Sequence, residues 1–173
     1  MHLSISLFSS SVFNRNGIFS SDLVDAMEEC VNSGANVINM SLGGPGRSFI
    51  EEREIQNLAR RGVLFIAASG NSGDDGNPKE YPAGYASVMS VGAANDDKKV
   101  AGFSTWNDEV SLAAPGVDVA SLGSSSDRCV LFQSCSCVLL FISKFWKLLS
   151  KFNCCQIFLL FYQSIHKTYR YVV

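Results

Sequence analysis

The chain has 173 residues, a formal net charge of −2 and six cysteines. No basic stripe is interleaved with aromatics, which argues against nucleic-acid binding. The cysteine pairs Cys135-Ser136-Cys137 and Cys154-Cys155 lack the two-residue gaps of zinc sites, which argues against a structural zinc.

In chain order, Met1 to Ser11 alternates apolar residues with serines and reads as a strand. As a secretory leader it lacks a basic start and a long apolar run. Ser20 or Ser21 is placed to cap a helix carrying Leu23, Met27 and Val31 on one face, with Gly34 near its end. Asn36 to Met40 follows as a strand and runs into Ser41-Leu42-Gly43-Gly44. Ser48-x-x-Glu51 is a capping box that opens a second helix through Arg61. Gly62 stops that helix, and Val63 to Ala67 is the next strand. It breaks into Ala67-Ala68-Ser69-Gly70-Asn71-Ser72-Gly73. Two more strand-and-loop segments follow, Tyr81-Pro82-Ala83 with Val88 to Ala93, and Phe103-Ser104-Thr105 with Leu112 to Val117.

Strand, helix and strand at this spacing predict a doubly wound, mostly parallel α/β sheet. Leu23, Met27, Ile55 and Leu58 are expected in the core, and Glu51, Glu52, Arg53, Arg60 and Arg61 on a solvated helix face. Ligands and chemistry collect at the carboxyl ends of such strands. The Ala67–Gly73 loop puts an amide there, at Asn71, where it can donate to a developing oxyanion. Taken alone the same residues make a plain turn.

Other classes fit less well. Gly43-Gly44-Pro45-Gly46 lacks the dinucleotide-binding spacing, and no phosphate loop occurs. Asp74-Asp75-Gly76 resembles the start of a calcium loop, but no glutamate stands at the twelfth position. Asn39-Met40-Ser41 is a glycosylation sequon, but it falls at a strand end expected to be buried.

Taken in series, these four strand-and-loop segments resemble the subtilisin-like serine proteases, from Val12 to Leu122. The resemblance implies a three-layer subtilisin-like fold and an endopeptidase that works through an acyl-enzyme on polypeptide substrates or inhibitors. It makes Asn71 the oxyanion-hole donor; in subtilisin itself, loss of such a donor costs about 10²–10³ in turnover. Ser41, Leu42, Gly43 and Gly44 become one wall of the substrate-binding site, and Ala68, Ser69 and Gly70 the other. Small residues suit walls that pair an extended substrate through main-chain groups. No cofactor is required. The resemblance also allows a structural calcium held by the carbonyls of Ala83, Tyr85 and Val88. Family members are often secreted; the compartment of this chain stays open.

The departures from the family are in the catalytic triad. No Asp-Ser/Thr-Gly, His-Gly-Thr or Gly-Thr-Ser-Met-Ala occurs, and His2 and His166 have the wrong neighbours. The family's aspartate and histidine are expected before Val12. The serine is expected about twenty residues beyond Ala114-Pro115-Gly116, in Gln133-Ser134-Cys135-Ser136-Cys137, which has no Gly-Thr before it. A hydroxyl without a base is a poor nucleophile, so the chain is expected to lack protease activity.

The organisation predicted is a stub over 1–11, a partial peptidase domain over 12–122, and a non-family tail over 123–173. After Gly123 there is no glycine, and after Ala120 no alanine or proline. Five of the six cysteines fall in the last 45 residues, and all charges after Arg128 are basic. Three readings fit this tail: translated noncoding sequence, a membrane-associated segment, or a divergent packing segment. Its uncharged runs, Cys129 to Ser143 and Phe152 to Ile165, are shorter than the roughly 20 residues of a spanning helix. Cys30 alone in the matching region predicts no disulfide framework there. A split core predicts poorly soluble protein. The functions predicted are a subtilisin-like endopeptidase fragment, a non-catalytic relative that binds peptides or a protease, or a membrane-associated protein.

Overall fold

The computed structural model describes residues 4–11, 19–122, 129–132, 154–158 and 169–172, with side chains from 19 to 118. The elements are β1 (Ser4–Ser11), α1 (Ser20–Asn32), β2 (Val37–Ser41), α2 (Phe49–Arg60), β3 (Leu64–Ala68), β4 (Val88–Ala94), β5 (Val110–Pro115), β6 (Val119–Leu122), β7 (Cys129–Phe132), β8 (Cys154–Phe158) and β9 (Tyr169–Val172). The main sheet runs in the order β5-β4-β3-β2-β8-β1-β9, and β6 pairs with β7 apart from it. Strands β5 through β1 are all parallel to their neighbours, and β9 is antiparallel to β1. This is the mostly parallel α/β sheet that the alternation of elements predicts.

Side-chain alternation along β2 and β3 separates two cores. Ile38, Met40, Phe65 and Ala67 join Leu23, Met27, Cys30, Ile55 and Leu58 beneath the helices. Val37, Ile66 and Ala68 point the other way, against Val91, Ala93, Ala101 and Ala114. The period of two dictates this division, because successive strand residues face opposite sides of the sheet. Both α1 and α2 cover the first face. The expected core residues Leu23, Met27, Ile55 and Leu58 are all buried.

The helix ends follow from a few residues. Gly34 and Gly62 stop the helices as predicted: the Gly34 N–H reaches the Val31 carbonyl (2.9 Å) and the Ala35 N–H that of Cys30 (3.0 Å). Gly62 and Val63 repeat the pattern on Ala59 and Leu58. At the start of α1 the expectation is corrected: Phe19 takes the capping position, and no side chain caps the helix. A cap needs extended backbone, and that conformation falls on Phe19, so Ser20 already lies inside the helix.

The start of α2 is more elaborate than the predicted box. Ser48 Oγ accepts the Glu51 N–H at 3.4 Å, as expected. The reciprocal bond runs through Tyr85 instead: its hydroxyl accepts the Ser48 N–H (2.9 Å) and lies 3.0 Å from Glu51 Oε2 and 3.1 Å from the Ser48 carbonyl. Glu51 is therefore only 8% exposed and does not belong to the solvated face. Cys30 is disulfide-bonded, to a cysteine outside the matching region, where it stands alone. The other five cysteines lie at or beyond position 129. No described helix is long and apolar enough to cross a membrane.

Strand β8 lies between β1 and β2, parallel to both. Cys154 pairs with Leu7 and Val37, and Phe158 with Ser11 and Ser41. A strand paired on both sides cannot lose an N–H without a large penalty. Gln156→Pro is expected to cost about 3 kcal/mol or more. The check is denaturant unfolding: an unchanged midpoint would remove β8 from the sheet.

Burial pushes the Tyr85 phenol well above its ordinary value, and Glu51 and Glu52 add to the shift while the Ser48 backbone opposes it. A phenol kept neutral by folding stabilises the fold fully below the unfolded-state value of about 10 and loses that contribution as pH rises beyond it. Tyr85→Phe removes the cap bonds and this alkaline loss together. It is expected to lower stability by about 1–2 kcal/mol at neutral pH and to flatten the decline above pH ~10, read from unfolding midpoints across pH.

Candidate active-site edge

The site residues are positioned by one pairing. β2 and β3 run parallel with Met40 opposite Ala67, so Ser41 and Ala68 leave the sheet side by side at the same edge. Ser41-Leu42-Gly43-Gly44 extends one wall from that edge, and Ala68-Ser69-Gly70-Asn71 the other. Ser41, Leu42, Ala68 and Ser69 are buried, whereas Gly43 and Asn71 are exposed. What the walls offer a ligand is therefore backbone at Gly43 and the amide-bearing residue Asn71.

The four residues of the first wall are not equivalent. Gly44 spends both backbone groups on Tyr81, its N–H on the Tyr81 carbonyl (3.0 Å) and its carbonyl on the Tyr81 N–H (2.8 Å). Gly44 thus braces the wall, and Gly43, without a backbone hydrogen bond among the described residues, is the member open to a peptide. Ser41 Oγ accepts from Asn39 Nδ2 at 3.3 Å. Asn39 is fully buried, which agrees with discounting it as a glycosylation acceptor.

The second wall is held from behind by the segment from Ala101 to Trp106. Ser69 N–H bonds the Val91 carbonyl (3.0 Å), and Ser69 Oγ donates to the Thr105 carbonyl (3.0 Å). The Gly70 carbonyl accepts from Thr105 N–H (3.1 Å), Ser72 N–H donates to Thr105 Oγ1 (3.2 Å), and Asn77 Oδ1 accepts from Trp106 N–H (2.7 Å). Asn71 sits between these anchors, so its backbone is fixed on both sides while the residue stays exposed. A donor aimed at an oxyanion has to be preorganised in this way.

Gly73 is required by close approach. A Cβ there would lie 2.6 Å from the Gly102 carbonyl oxygen and closer still to that of Ser104. Both are backbone atoms, which cannot swing aside. Gly73→Ala is therefore expected to cost about 1–3 kcal/mol and to displace the Asn71 loop. Unfolding midpoints and the Asn71 amide resonance would report it; an unshifted resonance would contradict the anchoring.

The remaining site residues separate clearly. Ala83, Tyr85 and Val88 are buried, and the Tyr85 carbonyl already accepts the Val88 N–H at 2.9 Å. Three carbonyls would need further oxygens to reach the six to eight around calcium, and no cluster of three His, Cys, Asp or Glu residues stands among the described residues. His2, His166, Ser134, Cys135 and Ser136 lie outside the described residues. Sequence reasoning missed Glu80 and the bracing role of Tyr81. The signal available was a lone carboxylate directly before the Tyr-Pro pair.

The family model described as the subtilase family matches residues 2–136. The chain belongs to the subtilase family. Subtilisin DY of Bacillus licheniformis is 40% identical over 120 residues, which cover 68% of this chain and 44% of that protein. Subtilisin Savinase of Lederbergia lenta is 39% identical over 119 residues, with the same two shares. Among solved structures, the psychrophilic subtilisin-like protease Apa1 from Pseudoalteromonas sp. AS-11 is 46% identical with a TM-score of 0.58, over 64% of this chain and 25% of that one. The prenylagaramide maturation protease PagA is 30% identical with a TM-score of 0.65, over 79% and 54%. This subtilase chain thus spans less than half the length of these curated relatives.

Proposed function

We propose that this chain is part of a subtilisin-like serine endopeptidase and carries one half of its hydrolytic centre. Asn71 is the oxyanion donor, and the backbone beside it at Gly43 receives an extended peptide. The observation that supports this reading is the parallel β2–β3 register, which brings Gly43 and the exposed Asn71 to one edge of the sheet. Hydrolysis needs more. A serine hydroxyl attacks only after a base takes its proton, and Asn71 stabilises charge that the attack alone creates. By itself the chain binds peptide without cutting it.

A second reading draws on the same edge and on the missing triad motifs: a non-catalytic relative that holds a peptide or a protease segment along Ser41–Gly44. Sequencing the transcript past the codon for Leu122 separates the two. A Gly-Thr-Ser-Met-Ala frame favours the endopeptidase, and a confirmed Cys-rich tail favours the binding protein.

Both readings make one expectation of the chain as it stands. An extended peptide should shift the amide resonances of Gly43 and Asn71, with no hydrolysis and no labelling by a serine-reactive fluorophosphonate. Labelling at Ser134 or Ser136 would overturn both, as would the absence of any peptide-induced shift.

A further inference from the structure

Cys30 lies on α1, where it is 2% exposed and joins the core beneath the helices. It is disulfide-bonded, and its partner is one of the five cysteines at or beyond position 129. Sheet register selects among them. Residues level with one another in neighbouring strands share a face of the sheet, and successive residues alternate between faces. Cys155 stands level with Ile38 of β2 and Phe8 of β1. Ile38 belongs to the same core as Cys30. Cys154 stands level with Val37, which belongs to the opposite core. Cys129 is on β7, which pairs with β6 apart from the main sheet.

The course of α1 agrees with this choice. The helix shares a core with β2 and also contacts β1, and β8 lies between those two strands. A helix that reaches both neighbours passes over the strand between them. Cys155 is therefore the one cysteine of the main sheet placed on the face that α1 covers. β8 is also the strand most in need of a tie. It comes from the far end of the chain and inserts between two strands from the beginning. A covalent link to α1 offsets much of the entropy that this insertion costs.

We infer that Cys30 and Cys155 form this disulfide, and that it is a redox latch holding β8 in the sheet. A dithiol reductant opens it. One thiolate of the reductant attacks a sulfur of the bond, and its second thiol displaces the mixed disulfide. Cys30 and Cys155 gain two electrons and two protons and become free thiols, and the reductant becomes a cyclic disulfide. Released from α1, β8 leaves, and β2 is left with a row of unpaired backbone groups along one edge. Phe158 stands level with Ser41, so that edge runs up to the first wall of the site, which reduction loosens. The latch itself does not depend on the peptide-binding reading of that wall.

Peptide mapping of the full chain without reductant should find Cys30 joined to the peptide carrying Cys154 and Cys155. The link should persist in Cys154→Ser and vanish in Cys155→Ser. Amide hydrogen exchange then tests the latch, with the α2 amides as an internal reference for folding. Dithiothreitol should speed exchange in β8 and β2 about tenfold or more in the wild-type chain and in Cys154→Ser, while α2 stays protected. Cys155→Ser should exchange at the fast rate throughout and not respond to reductant. A link from Cys30 to Cys129, Cys135, Cys137 or Cys154 would overturn the inference. So would exchange in β8 and β2 that ignores reductant. Loss of protection in α2 together with β8 would also overturn it, because the bond would then be a staple of the whole fold and not a latch on one strand.

Discussion

The parallel pairing of β2 with β3 is the constraint on which the rest depends. Five residues of β2 are buried without exception, and four of the five in β3. Strands buried on both faces have no freedom to slip, because a shift of one residue would exchange the two cores. Ile38 and Phe65 would then face the core built around Val37 and Ile66. The register is therefore fixed by packing, and it fixes in turn where Ser41 and Ala68 leave the sheet. The two walls of the site are a geometric consequence of a hydrophobic pattern some residues away.

What packing begins, buried polar contacts complete. Ser69, Ser104 and Thr105 are almost fully buried. Ser104 Oγ accepts from Ala93 N–H at 2.8 Å, and Ser69 and Thr105 tie the second wall to the segment behind it. Satisfied networks of this kind stiffen a loop without an apolar core of its own. Two buried side-chain oxygens among the described residues break the pattern, Asn39 Oδ1 and Glu80 Oε1. The Glu80 carboxyl lies between Gly43 and Gly70. For Asn39, at the middle of β2, the structure offers no physical account.

The carboxyl-terminal segment contributes to the same sheet. With β8 in place, β1 and β2 each have a partner on the side where they face one another across the sheet. Phe158 lies level with Ser41, so the chain leaves β8 at the edge that carries the site. Open parallel edges present rows of unpaired backbone groups, and a segment with no glycine, alanine or proline after Gly123 suits that position by its β-branched and aromatic content.

The sequence by itself determined the alternation of helices and strands, the glycines that stop the helices, the core positions Leu23, Met27, Ile55 and Leu58, and the family. These are local matters: periodicity, capping chemistry and motif spacing act within a few residues. Only the tertiary structure decided that Glu51 is buried, that Tyr85 completes the α2 cap from 37 positions away in the chain, and that Gly44 pairs with Tyr81. It also decided where β8 pairs, and that Glu80 lies between Gly43 and Gly70. Each of these depends on which distant backbone comes within hydrogen-bonding reach, and such proximity is set by sheet register and packing, not by neighbours in sequence.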